Sequence, residues 1–220
     1  MAVTFTDHKG WATLDVGSSR ITLEKQGAKY LDADVDFLVN PAQPKLTGGG
    51  TLDAAIHKKA GEALKEACKH IPEDQAGVRC PTGEARLTYG AELQQPYVVH
   101  TVGPKGDAAN ADQKLWNSYH NCLAITRDFF DHLKHKGAKH PDWMDKVHSP
   151  KEATVAAHKR PSIAFCSIST GAYHFPKDKG PKIACRAMVD FAKHHPGMKI
   201  HFYGGKEESE AFLKAMKKAK

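Results

Sequence analysis

The sequence has 220 residues, 40% hydrophobic and 26% charged, which suffices for one domain with a real core, leaves little for a second, and excludes a wholly disordered chain. Its formal net charge of +7 suits an anionic ligand or partner, and no apolar run approaches the roughly 20 residues that span a bilayer. Met1 to Asp15 lacks the apolar stretch of a secretory signal, so the expectation is an intracellular protein, cytoplasmic or nuclear, with no membrane association.

In chain order, the short alternating runs Trp11–Leu14 and Arg20–Leu23 flank the turn residues Gly17, Ser18 and Ser19 and predict a β-hairpin at a sheet edge. Phe37-Leu38-Val39 reads as a buried strand followed by a loop from Asn40 to Gly50. Leu52, Ile56, Ala60, Ala63 and Ala67 then recur at helical spacing, which predicts one helix starting near Thr51 or Leu52, with Thr51 as its cap. Ala85–Tyr89 and Tyr97–Val102 read as strands, ended by Gly90 and by Gly103-Pro104. Leu115, Tyr119, Cys122, Phe129 and Leu133 mark the next helix. The polar stretch 137–161, with Pro141, Pro150 and Pro161, reads as a long inserted connection with room for a short helical piece. Ser162–Ile168 is a further strand, running through Ser169-Thr170-Gly171 into a helix marked by Ile183, Ala187, Met188 and Phe191. Lys199–Tyr203 is the last strand, and Phe212, Leu213 and Met216 mark the last helix. Strands alternating with helices predict an α/β fold: one domain over residues 1–220, a three-layer α/β/α sandwich on a mixed, mostly parallel sheet.

In such a sheet, ligands sit beyond the carboxyl ends of the strands. Three loops fall there: Asn40–Gly50, Thr101–Pro104 and Ser169–Phe175. Gly48-Gly49-Gly50 directly precedes a predicted helix, where free N–H groups and the positive dipole end favour a phosphate. Ser169-Thr170-Gly171-Ala172-Tyr173 offers hydroxyls, a glycine and backbone amides before another predicted helix, and two such loops suit a diphosphate. Asp53, in the first turn after the glycines, either complements the helix dipole or accepts hydrogen bonds from a water or sugar hydroxyl. His174 lies in the second loop, and His57 and His100 read as packing or hydrogen-bonding residues. His132, His135 and His140 have a spacing that suits zinc, but a polar helix end explains them better, and no metal site is assigned. The cysteines Cys68, Cys80, Cys122, Cys166 and Cys185 contain no C-x-x-C pair and read as reduced, mostly buried thiols. Nothing resembles an RNA-recognition motif or a zinc finger, so nucleic acid is not the expected partner.

These residues resemble the macrodomain family, and within it the MacroD-like branch. The pattern V-N-A-A-N, then G-G-G-G-V-D-G-x-I-H-x-A-A-G, is met by Val39-Asn40-Pro41-Ala42-Gln43 and the stretch Gly48 to Gly61. C-x-T-G-x-A appears as Cys80 to Ala85, V-I-H-T-V-G-P as Val98 to Pro104, and I-S-T-G-x-[FY]-x-[FY]-P as Ile168 to Pro176. The blocks keep the family's order over roughly residues 20 to 205.

The resemblance implies an ADP-ribose pocket, with ADP-ribose or an ADP-ribosylated protein as partner. Gly48, Gly49, Gly50 and Thr51 would hold the diphosphate from one side, and Ser169, Thr170, Gly171, Ala172, Tyr173 and His174 from the other. Asn40 would support the first loop, Tyr173 would lie near the distal ribose, and Asp53 and Gln43 would carry catalysis. The implied activity is hydrolysis of ADP-ribosyl esters on acidic side chains or of O-acetyl-ADP-ribose, by a water that substrate phosphate and Asp53 orient, with no cofactor or metal. A non-catalytic reader of ADP-ribose is the alternative. The chain departs from the pattern at Gln43 for the second Asn, Thr51 for the fourth Gly, Ala54 for the Gly after the Asp, and Gly27-Ala28-Lys29-Tyr30 for G-D-I-T, whose Asp reads adenine. Asp32, Asp34 and Asp36 are the nearby substitutes for that Asp.

Overall fold

The computed structural model describes residues 2–24, 29–135 and 149–219. Period-two alternation at the start of the chain builds an antiparallel meander, β1 (Val3–Asp7), β2 (Trp11–Val16) and β3 (Ser19–Glu24). The buried apolar runs build β4 (Phe37–Pro41), β6 (Tyr97–Thr101), β7 (Ser162–Cys166) and β8 (Lys199–Tyr203), and β5 (Ala85–Tyr89) closes the far edge. The strands form one eight-stranded sheet in the order β1-β2-β3-β8-β7-β4-β6-β5. β3, β8, β7, β4 and β6 run parallel, while β5 and the meander pair antiparallel. The expected mixed, mostly parallel sheet is therefore present. The predicted hairpin is not confined to the edge, because β3 pairs with β8 and only β1 is terminal.

The helices are α1 (Thr51–Ala60), α2 (Glu62–Lys69), α3 (Ala111–Lys134), α4 (Glu152–Ala157), α5 (Gly180–His194) and α6 (Lys206–Lys218). Strand parity assigns them to opposite faces of the sheet. On β6, Tyr97 stacks with Phe37 and meets Phe129 of α3, whereas His100, three residues on, points to Cys68 of α2. Phe202 of β8 shares the Tyr97 side and stacks on Phe212 of α6. Thus α3, α5 and α6 pack in a row under the sheet, and α1 with α2 covers β4, β5 and β6 from above. Among the described residues the upper face of β2, β3 and β8 carries no helix and keeps an open polar hollow.

Three local expectations are corrected. The helix predicted through Leu52, Ile56, Ala60, Ala63 and Ala67 breaks at Gly61, whose φ of 76° is left-handed and ends α1 before α2 begins. Thr51 is the first helical residue rather than the cap, which is Gly50. The helix expected straight after Ser169-Thr170-Gly171 starts only at Gly180, with a proline in its first turn. The short helical piece of the long connection is α4, while Trp143, His140 and the remainder of 136–148 lie outside the described residues. Among the described residues no helix is long and apolar enough to cross a membrane, and all five cysteines are buried and free.

Candidate functional site

The carboxyl ends of β4, β6 and β7 lie at one edge of the sheet because these strands are parallel and adjacent. β4 and β7 pair only at Phe37↔Ile163 and Leu38↔Ala164, and then diverge. The Tyr30 hydroxyl sits at the parting point, within hydrogen-bond reach of the carbonyls of Val39 and Ala164. Beyond it opens a cleft of about 180 Å³. Gln43, Gly49, Gly50, Thr51 and Asp53 line one wall, Ser169, Gly171, Ala172 and Tyr173 the other, and Gly103 lies between them. Two roomier hollows lie elsewhere, about 500 Å³ between α5 and α6 and about 740 Å³ on the bare sheet face. Neither combines a helix start with a buried carboxylate.

The first wall is built around Asp53, which is only 2% exposed. Its Oδ1 accepts from Asn40 Nδ2 at 2.7 Å and its Oδ2 from the Gly49 amide at 2.9 Å, and His57 Nε2 stands 3.4 Å from Oδ1. The His57 ring packs under Gly48, where a Cβ would meet it at 2.8 Å. Gln43 folds its side chain onto Gly49, where a Cβ would lie 2.7 Å from Oε1. Both glycines therefore act through close approach of neighbouring side chains. No side chain caps α1, so the amides of Thr51, Leu52 and Asp53 have no intrahelical acceptor and are free for an anion.

The second wall is a turn, not a helix start. Ser169 holds a left-handed φ of 66° and His174 one of 51°. The turn is closed by Phe175 N–H to Ser169 O at 3.0 Å and His174 N–H to Gly171 O at 2.9 Å. Tyr119 of α3 anchors its root, its hydroxyl accepting from the Ile168 amide at 2.9 Å. What this wall offers an anion is the backbone amides of a turn, without the helix dipole expected from the sequence, since α5 starts only at Gly180.

The two glycine loops thus meet, as expected. Of the predicted residues, Asn40 is fully buried behind Asp53 and Gly48 rests on His57, so they support the wall rather than line it. Thr170 is buried with its hydroxyl on Ser167 O at 3.2 Å, and His174 is exposed and outside the lining. The lining also includes Pro41, Ala42, Leu52, Gly103, Cys166, Ser167 and Ile168. Pro41, Ala42, Leu52, Gly103 and Ile168 fall within the motif blocks read from the sequence, whereas Cys166 and Ser167 were read only as strand residues. The aspartates named as substitutes for the adenine-reading Asp lie outside the lining of this cleft. Asp32 pairs with Lys59 in the last turn of α1, and Asp36 binds Ser162 and His158 at the amino ends of β4 and β7, both away from the cleft; Asp34 is not in the lining. Tyr30, the last residue of the stretch set against G-D-I-T, opens a short 3-10 turn (Tyr30–Asp32) and sends its hydroxyl to the gap between β4 and β7, and residues 25–28 lie outside the described ones.

Burial raises the Asp53 carboxyl above its ordinary value, against the hydrogen bond from Asn40. Burial lowers His57, against the attraction of Asp53, and lowers His100 to about 3. An imidazole depressed in the folded state stabilises the fold fully above the unfolded value of about 6.5, and this is lost as pH falls through the folded value. Asp53 acts in the opposite sense from the ordinary carboxylate value upward, but His100, lowered to about 3, offsets it throughout their shared range and His57 adds to His100. The urea midpoint should therefore fall as pH drops from 7 to 4, with His100 contributing roughly 1.4 kcal/mol per pH unit below about 6.5. A midpoint that stays level over that range would contradict neutral, buried imidazoles.

His57, Cys68 and His100 each bring one potential metal-ligating atom within 4.8 Å of the others. Both nitrogens of His100 already face partners, Asn40 at 3.1 Å and Thr88 at 2.9 Å. His132 and His135 lie at the carboxyl end of α3, as the polar helix-end reading expected.

Comparison with known proteins places this geometry in context. The Macro domain profile matches residues 39–184. A macro domain-containing protein of Cupriavidus necator is 37% identical over 157 residues, 70% of this chain and 73% of that protein. The O-acetyl-ADP-ribose deacetylase of Escherichia coli K12 is 36% identical over 163 residues, 73% of this chain and 75% of its own. Among solved structures, the Trypanosoma brucei macrodomain in complex with ADP-ribose superposes with a TM-score of 0.61 at 28% identity, over 88% of this chain and 68% of that one. The Oceanobacillus iheyensis macrodomain with ADP gives 0.69 at 24% identity, over 96% and 97%, a likeness of fold.

Proposed function

The chain belongs to the macro domain family, and from that membership we propose that it binds ADP-ribose in the strand-end cleft and hydrolyses ADP-ribosyl esters, namely O-acetyl-ADP-ribose or mono-ADP-ribose on acidic side chains. The observation that carries this reading is the pairing, across one cleft, of an uncapped helix start holding a buried carboxylate with an amide-rich turn. The amides of Thr51 and Leu52 and those of the 169–173 turn bind the diphosphate from its two sides. The distal ribose then lies toward Asp53 and Tyr173. Asp53, with one oxygen on Asn40 and the other on Gly49, orients a water that the substrate phosphate also holds. That water adds to the ester carbonyl, the bond to the ribose oxygen breaks, one proton of the water passes to the ribose oxygen and the other to solvent, and a carboxylate leaves.

The relatives named for O-acetyl-ADP-ribose deacetylation support the hydrolytic reading. A specific observation favours a non-catalytic reader instead: Gln43 is folded onto Gly49, and its reach differs from the family's Asn by one methylene. Hydrolysis of O-acetyl-ADP-ribose separates the two. Calorimetry with ADP-ribose, AMP and ribose 5-phosphate tests the cradle itself. ADP-ribose should bind at least about tenfold tighter than either fragment, about 1.4 kcal/mol. AMP binding as tightly as ADP-ribose would sink the two-walled diphosphate site.

A further inference from the structure

A buried chain of polar groups runs behind the cleft from β5 to the glycine loop. Thr88 Oγ1 lies 2.9 Å from His100 Nε2, and His100 Nδ1 lies 3.1 Å from Asn40 Nδ2. The same Asn40 nitrogen donates to Asp53 Oδ1, and Asp53 Oδ2 accepts from Gly49. Thr88, His100, Asn40 and Asp53 are each at most 2% exposed. Cross-strand register sets the middle of the chain, since Asn40 of β4 is paired with His100 of β6.

Hydrogen-bond chemistry fixes the direction. An amide nitrogen can only donate, so the ring nitrogen facing Asn40 must be bare. The imidazole then carries its proton on Nε2 and gives it to Thr88. Both hydrogens of the Asn40 amide are thereby committed, one to Asp53 and one to His100. Turning that amide over would point its carbonyl oxygen at the Asp53 carboxylate, acceptor against acceptor, so the contact with Asp53 fixes which way round the amide lies and the amide fixes the tautomer.

We propose that His100 is a positioning residue for Asp53: its bare Nδ1 fixes the plane of the Asn40 amide, which sets the carboxylate so that its second oxygen meets Gly49. The inference rests on the reading of Asp53 as the group that orients the attacking water. Burial keeps His100 neutral, near 3, so the acceptor survives at working pH. The polar groups facing the ring besides Thr88 and Asn40 are Cys68, with Sγ 3.8 Å from Nε2, and His57, with its ring centroid 6.2 Å away.

The test compares His100→Asn with His100→Leu. The two side chains have similar size, but Asn keeps an acceptor where Nδ1 stood, and Leu suits an apolar site. A packing role makes Leu the better replacement. Positioning makes it the worse: His100→Leu should lower kcat for O-acetyl-ADP-ribose hydrolysis about 100-fold, the effect of ~1 Å of misplacement, with His100→Asn within about tenfold of wild type. The Kd for ADP-ribose should stay within about threefold in both. His100→Leu matching or exceeding His100→Asn in kcat overturns the proposal. Nitrogen NMR of the wild-type ring keeps the question open to measurement if either variant fails to fold. A bare Nδ1 and protonated Nε2, unchanged from pH 8 to 5, is the expected result; the opposite tautomer, or zinc on Nε2, overturns it. Wild type with the expected tautomer but no hydrolysis instead sinks the reading of Asp53, and the catalytic consequence of His100 with it.

Discussion

Asp53→Ala is expected to lower hydrolysis of O-acetyl-ADP-ribose, and release of mono-ADP-ribose from a glutamate-modified protein, by about 10²- to 10⁴-fold, the range for losing a positioned acid–base group. The size follows from how much converges on this carboxylate. It is held by Asn40 and Gly49 and flanked by His57, and it is the one carboxylate in the cleft lining. Alanine leaves the Asn40 amide and the Gly49 N–H without their acceptor, a cost of about 1–3 kcal/mol for a buried donor. It also removes a carboxylate that burial disfavours in its charged form, so the fold should tolerate the change. In the proposed site the diphosphate is held by backbone amides, and the ADP-ribose Kd should therefore weaken by less than about tenfold, about 1.4 kcal/mol. Rates and affinities measured on the same preparation separate the effects. Hydrolysis within threefold of wild type would remove Asp53 from the chemistry.

Gly103→Ala should weaken ADP-ribose binding about 100-fold, near 2.7 kcal/mol. A Cβ at that position would lie 2.0 Å from Ser169 Oγ and 2.5 Å from Ile168 Cγ2. The Ser169 hydroxyl can rotate away, but Ser169 Cβ, at 3.3 Å, and Ile168 follow the backbone. Ile168 is buried and its amide is tied to Tyr119, while Ser169 is locked in a left-handed turn by the Phe175 amide. Relief requires the turn to move away from the first wall, and overpacking of this kind costs about 1–3 kcal/mol. Gly10→Ala, in the turn between β1 and β2 and outside the cleft lining, is the control, because a Cβ there meets nothing within 4 Å. Calorimetry should find it within a few-fold of wild type. If the two variants bind alike, the 167–173 turn is not a wall of the ligand site.

The inner strands were legible because each is a short apolar run with a marked end, as at Val102-Gly103-Pro104, whereas the largely exposed β1 carries no such run. The glycine loop was legible for the same local reason. What escaped was either hidden by a pattern or set by distant residues. Ala63 and Ala67 keep helical spacing across Gly61, so periodicity concealed the break that its left-handed φ imposes. The apolar periodicity from Ile183 onward marked α5 itself, and Pro176 and Gly180-Pro181 carried the signal, left unused, that a turn separates it from Gly171. Asn40, Asp53 and His100 were each readable as polar residues in buried surroundings. Their joining depends on the register of β4 with β6 and the angle of α1, which no short-range pattern encodes.

Tyr30 has a consequence for how a guest enters. Its hydroxyl occupies the point where β4 and β7 would otherwise continue to zip together. The gap between the strands is therefore propped apart by a side chain wedged in the sheet, and a newcomer need not pry it open. Little reorganisation then opposes capture, which leaves more of the contact energy available as affinity.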